Sequence, residues 1–227
     1  MSLHLQRRIS KIKDQVLNLG NIVEQTFLRA SQAVSELDAE LATEVVQGDT
    51  RIDAMEIDLE EECLATLALE QPVANDLRFV VAVLKMNNDL ERIADLAANI
   101  AGQARFLAGK PRIDVIPFDL DGMKEKVHGM LRRALDALIS EETSLAEVVV
   151  RTDDEVDEMY SRMYVDVQDA IRKQPENLSQ LIHYLSIARM LERIADHACN
   201  IAEDVLYLER GEIFRHGQGG ILDPKPR

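Results

Sequence analysis

Apolar residues recur along this chain at alternating steps of three and four. Leu90, Ile93, Ala97, Ile100, Ala104 and Leu107 form one series, and Leu191, Ile194, Ala198, Ile201, Val205 and Leu208 form a second. Such spacing lays its members on one stripe of an α-helix, so each series predicts a helix with a single core-facing seam. The chain's breaks delimit the remaining helices. A first runs over about residues 5–35 and stops at Glu36-Leu37-Asp38. A second covers about 39–69, with a slight break expected at Gly48, and Gln71-Pro72 ends it. Pro72, which has no N–H to lose, suits the first turn of a third helix reaching about residue 108. Gly109-Lys110-Pro111 stops that helix, and residues 111–117 read as a linker. Helices over about 119–139, 143–173 and 176–209 follow, and the Gly- and Pro-containing stretch 212–227 is expected to be disordered.

This order of elements is written twice. Leu90-Glu91-Arg92-Ile93-Ala94-Asp95-Leu96-Ala97-Ala98-Asn99-Ile100-Ala101 returns at an offset of 101 as Leu191-Glu192-Arg193-Ile194-Ala195-Asp196-His197-Ala198-Cys199-Asn200-Ile201-Ala202, with ten of twelve positions identical. At an offset of 104, Val23, Ala30 and Ala33 match Val127, Ala134 and Ala137; Asp49, Ile52, Asp53 and Met55 match Asp153, Val156, Asp157 and Met159. Repetition of this length marks a duplicated structural unit. The predicted fold is all-α: two tandem, pseudo-symmetric antiparallel three-helix bundles, residues 1–110 and 118–211.

Composition agrees and narrows the function. Among 227 residues only 4% are aromatic, and no run approaches the roughly 18 apolar residues of a membrane span. The N-terminus lacks the apolar core of a secretory signal, so a cytoplasmic protein is expected, with Cys63 and Cys199 as buried thiols in a reducing compartment. A net charge of −15 argues against nucleic-acid binding. There is no Gly-rich phosphate loop, nor a Ser-His-Asp or Cys-His nucleophile arrangement. Cation binding is compatible with the charge, although solubility alone also explains it.

The repeated motif conserves more than apolar positions between its two copies. Each has Glu, Asp and Asn at i, i+4 and i+8, which the seam places on an outward helix face. Counting from the turn near residue 71, Glu91 and Asp95 lie level with residues 51 and 47, close to Asp49 and Asp53, in a stripe that continues through Glu56 and Glu60. From the turn near Pro175, Glu192 and Asp196 meet Asp153, Asp154, Asp157 and Glu158. Two like charges about 5 Å apart repel by a few kcal/mol at an effective dielectric near 20, and Arg92 and Arg193 are too few to balance such clusters. Carboxylate clusters that persist suit oxygen-loving cations. The candidate ligands are Glu91, Asp95, Asp49, Asp53 and Asn99 in one half and Glu192, Asp196, Asp153, Asp157 and Asn200 in the other. The two asparagines serve as ligands or as orienting partners.

These residues carry a family resemblance. The doubled Leu-Glu-Arg-Ile-Ala-Asp-x-Ala-x-Asn-Ile-Ala, together with Gln71-Pro72-Val73-Ala74-Asn75-Asp76-Leu77-Arg78, resembles the PhoU family of phosphate-specific transport accessory proteins over residues 1–211. The resemblance implies two three-helix bundles bearing multinuclear iron or zinc clusters, with ligands at Glu91/Asp95 and Glu192/Asp196. It also implies repression of the phosphate-starvation regulon by a non-enzymatic cytoplasmic adaptor, associated with the membrane through its partners. Those partners would be the phosphate ABC transporter ATPase and a sensor histidine kinase. Pseudo-symmetry suits a homodimer or a contact across two transporter subunits. Asp76 and Arg78 either cap and pair at the start of the third helix or touch a partner. The second half has Asn177-Leu178-Ser179 at that place, which would confine the role to one half.

The alternative is a carboxylate-bridged metalloenzyme or metal store. Glu125-x-x-His128 has the spacing of a di-iron site, but the equivalent first-half positions are Asn21 and Glu24. His128 reads first as a surface or boundary histidine, with a place near the second acidic cluster as the alternative. A scaffold with unoccupied acidic faces is the third reading.

Overall fold

The computed structural model of the chain describes residues 3–113, 116–140 and 142–210. The stretch 212–227, expected to be disordered, lies outside the described residues. Six helices account for nearly all of them: α1 (Leu3–Glu36), α2 (Ala39–Glu70), α3 (Ala74–Ala108), α4 (Leu120–Ser140), α5 (Thr143–Lys173) and α6 (Leu178–Arg210).

The helix ends follow local chemistry. Asp38 caps α2, its carboxylate accepting from the backbone N–H of Glu40 at 2.9 Å and of Leu41 at 3.0 Å. Gln71 ends α2 in the left-handed conformation, φ 48°. Pro72 lies just outside α3 rather than in its first turn, because the chain remains extended through Val73 before the helix begins at Ala74. α6 likewise begins only after a 3-10 turn, Pro175–Asn177. α2 runs unbroken through Gly48, where an added Cβ would meet open space; an exposed helical glycine costs some stability without bending the helix.

Each half is an antiparallel three-helix bundle, with α1, α2 and α3 mutually packed and α4, α5 and α6 likewise. Both seams are where the spacing puts them: Leu90, Ile93, Ala97, Ile100 and Ala104 are fully buried, as are Leu191, Ile194, Ala198 and Ile201. Burial on α3 extends well past one seam, however. Ala94, Leu96, Ala98 and Ala101 are buried too, and α3 packs against α6 as well as its own bundle. Ala195, Ala202 and Leu206 are likewise buried on α6. A single core runs through both halves.

Polar contacts fix the antiparallel register of the α3–α6 joint. Lys85 Nζ meets Asp204 Oδ1 at 2.7 Å, Asp89 Oδ1 meets His197 Nδ1 at 2.8 Å, and Gln103 hydrogen-bonds His183, whose ring stacks on Phe106 at 3.8 Å. α1 and α4 close the other seam between halves. Gly20 sits there, and a Cβ in its place would lie 2.7 Å from Leu135 Cδ2, so that side chain would have to shift. Glu24 Oε1 lies 2.8 Å from His128 Nε2 and 3.4 Å from Arg132 Nη1. Glu24 and His128 are equivalent positions of the two repeats, so they meet near the axis relating the halves. His128 therefore faces α1, not the second acidic cluster. Its charge partner is Glu24, and the Glu125-x-x-His128 spacing is not part of the acidic groove.

Candidate metal centres

The acidic residues of each half gather in the groove between its last two helices. Asp49, Asp53 and Glu56 come from α2; Glu91 and Asp95 come from α3, one turn apart on the flank of its core stripe. Burial raises the Asp49 pKa above the usual aspartate value, and Asp53 and Asp95 raise it further. Glu91 is raised by burial and then by Asp95, with Arg92 opposing and Glu56 and Asp53 adding. Glu56 is raised by burial, Glu60 and Asp53. These mutual influences place residues from both helices in one electrostatic cluster. Arg92 reaches Glu91 at 3.5 Å and Asp95 at 3.4 Å, a partial neutralisation by an exposed side chain.

The second half repeats the arrangement and is the more strained. The Asp153 pKa is pushed up to about 6, by burial first and then by Asp196 and Asp157, with Cys199 opposing and Asp154 adding. Glu192 is raised by burial, Asp196 and Asp157 while Arg189 opposes; Asp196 is raised by burial and Asp157 while His197 and Arg193 oppose. The hairpin register read from the sequence thus brings Glu91 and Asp95 to Asp49 and Asp53, and Glu192 and Asp196 to Asp153 and Asp157.

Two atoms bear on whether a cation fits. Asp49 Oδ1 and Asp153 Oδ1, equivalent in the two repeats, are both buried without a hydrogen-bond partner. An orphaned carboxylate oxygen is costly, and at the same place in both repeats one oxygen is free to accept from a donor or a cation. The donor set, carboxylates from two adjacent helices, suits an oxygen-coordinated divalent cation. Among the described residues the side chains stand open: no three His, Cys, Asp or Glu groups are closed on one point.

The asparagines stand on the outer side of the clusters. Asn99 is exposed, and Asn200, also exposed, donates to Asp89 Oδ1 at 3.0 Å across the joint. Asn87 and Cys199 stand closer to the acids, and sequence reasoning passed over both. Asn87 precedes Glu91 by one turn and donates to Glu56, at 2.9 Å to the backbone oxygen and 3.1 Å to Oε1. Cys199 follows Glu192 and Asp196 at i+7 and i+3. That spacing was the available signal, hidden because cysteine reads as core. At the start of α3, Asp76 is half-buried in the first turn, while Arg78 bonds the Asn75 side chain at 2.5 Å rather than Asp76.

The architecture defines a duplicated helical protein with one carboxylate-rich groove per repeat. A family model, the PhoU domain, matches twice, over residues 16–104 and 120–205. The chain belongs to the PhoU family. It is 37% identical over 215 residues, 94% of this chain and 96% of its relative, to the phosphate-specific transport system accessory protein PhoU homolog of Aquifex aeolicus. The crystal structure of PhoU from Pseudomonas aeruginosa superposes with a TM-score of 0.86 at 34% identity, covering 91% of this chain and 99% of that one. The phosphate transport system regulatory protein PhoU from Streptococcus pneumoniae gives 0.83 at 28% identity, covering 93% and 100%.

Proposed function

We propose that this chain is a regulatory adaptor of phosphate transport that carries cations on both carboxylate grooves. The observation that carries the metal reading is the pair of orphaned, buried oxygens, Asp49 Oδ1 and Asp153 Oδ1, at equivalent sites among self-repelling carboxylates. Glu91, Asp95, Asp49 and Asp53 would hold one site, and Glu192, Asp196, Asp153 and Asp157 the other, for Fe, Zn, Mn or Mg. Bound cations would cancel the repulsion and lock α2 to α3 and α5 to α6. The regulatory reading is supported by the names of the relatives, which are accessory and regulatory proteins of phosphate transport.

In this reading the chain restrains phosphate uptake and the starvation response by contacting the transporter's ATPase and a sensor histidine kinase, and it pairs as a homodimer. No helix among the described residues is long and apolar enough to cross a membrane. With a net charge of −15, association with an anionic lipid surface would have to go through those partners. Val73 and Leu77, 74% and 41% exposed beside Asp76 and Arg78, offer an apolar contact of the kind that protein interfaces use.

Sedimentation with membranes tests the adaptor. The chain should ignore pure anionic liposomes and be retained by membranes containing the transporter ATPase or the kinase. Equal retention by both, or by neither, would overturn the reading.

A further inference from the structure

The two grooves are not chemical copies. In the first, Asn87 is 1% exposed, its amide holds the Glu56 carboxylate, and its own Oδ1 is buried with no partner. The equivalent second-half positions are Ala188 and Tyr160, so neither the amide nor that fifth carboxylate is present there. The second groove has instead a thiol. Cys199 is 9% exposed, and its Sγ is 3.8 Å from the carbonyl oxygen of Val149, one turn before Asp153 on α5. Its first-half counterpart is Ala98. Cys199 shares the stripe of Glu192 and Asp196, at i+7 and i+3, on the side toward α5 where Asp153 Oδ1 is orphaned.

We propose that the duplication has diverged into two cation sites of different hardness: an all-oxygen first site for Mg or Mn, and a second site in which the Cys199 sulfur joins the carboxylates and selects Zn or ferrous iron. The inference rests on the cation-binding reading above. Oxygen-only sets suit hard cations, whereas one thiolate shifts preference toward borderline and softer ones. As the sulfur–metal bond forms, the thiol proton leaves to solvent; no electron is transferred. Asn87 strengthens the hard character of the first site, because it fixes Glu56 toward Asp53 and Glu91 and leaves its own carbonyl-type oxygen free to accept.

Zinc X-ray absorption on the full chain, freed of metal and loaded with one equivalent of Zn, tests this. One sulfur at about 2.3 Å from Zn is expected beside oxygen ligands. Cys199→Ala should remove that sulfur and lower the preference for Zn over Mn about tenfold or more. Alanine occupies this place in the first repeat, so the variant is expected to keep its fold, checked by circular dichroism. Cys63→Ala, which removes a core thiol on α2, should leave the sulfur signal unchanged. Zn bound through oxygen alone in the unmodified chain would overturn the inference and leave the cation-binding reading standing. No Zn or Mn bound at either groove would overturn both.

Discussion

The metal-free second groove should be stabilised by removing one of its own charges. Asp153→Asn keeps the shape of the side chain and deletes the charge that burial, Asp196 and Asp157 oppose. The Asp153 pKa moves from 3.8 to about 6 on folding, a difference of roughly two units, and each unit is worth about 1.4 kcal/mol. The upper bound is therefore about 3 kcal/mol, which solvent screening at this half-buried position lowers to roughly 2–3 kcal/mol. Asn adds an amide that must find acceptors in a half-buried position, which offsets about 1 kcal/mol. A net gain of roughly 1–2 kcal/mol remains, or about 2–8 °C in Tm for a chain of this size. The sign depends on pH. Because the folded pKa is raised, protonated Asp153 contributes stability that is fully present below about pH 3.8 and is lost as pH rises through about 6. The variant's advantage should consequently be near its maximum at about pH 7.5 and fall away by about pH 4. Thermal melts of EDTA-treated protein across that range measure it. An Asp153→Asn protein less stable than the parent at about pH 7.5, with no dependence on pH, would refute the claim that Asp153 sits uncompensated among like charges.

Cations should reverse the balance: adding Mn or Mg to the metal-free parent should raise Tm, by the equivalent of about 2.7 kcal/mol at a hundredfold excess over Kd, and no shift at millimolar metal would favour empty acidic faces. Asp95→Ala combined with Asp196→Ala should abolish bound metal, read by elemental analysis, while the helical circular dichroism is kept, because both residues lie outside the core. Gly20→Ala should cost about 1–3 kcal/mol in urea unfolding, since its Cβ would press on Leu135 Cδ2 at 2.7 Å and force α1 from α4. Ile201→Ala, emptying a fully buried seam position, should cost about 2–5 kcal/mol by the same measurement.

Much of this was legible in the sequence because its periods are strong and doubled. The 3,4 spacing of Leu90 to Leu107 located the seam, and the turn at Gln71-Pro72 located the hairpin. Together they placed Glu91 and Asp95 level with Asp49 and Asp53. What could not be read was the joint between halves. Lys85, Asp89 and Gln103 look like an ordinary polar helix face beside the seam, and only the packing of α3 on α6 gives them their partners. The same joint decides where Asn200 and His128 are directed. Residue spacing tells which face a side chain occupies, but a helix packed on three sides has several faces, each with a different neighbour. Asn200 lies one turn beyond Asp196 yet is directed to Asp89 of the other half, and His128 finds its repeat-mate Glu24.

That joint also bears on how the grooves could influence the rest of the molecule. Asp196, His197 and Asn200 share two turns of α6: the first belongs to the acidic groove, and the other two grip Asp89 on α3 at 2.8 and 3.0 Å. Any rotation of α6 that draws Asp196 toward Asp157 must also shift the pair holding Asp89. The first half has no equivalent grip, because Leu96 and Asn99 stand where His197 and Asn200 would be and Met190 replaces Asp89. A packed interior moves as a unit rather than yielding locally. The coupling between groove and joint should therefore be one-sided: Asp89→Asn should weaken cation binding measured at the second groove and leave the first unchanged. Equal loss at both grooves would mean that Asp89 supports the fold in general instead of linking the joint to one site.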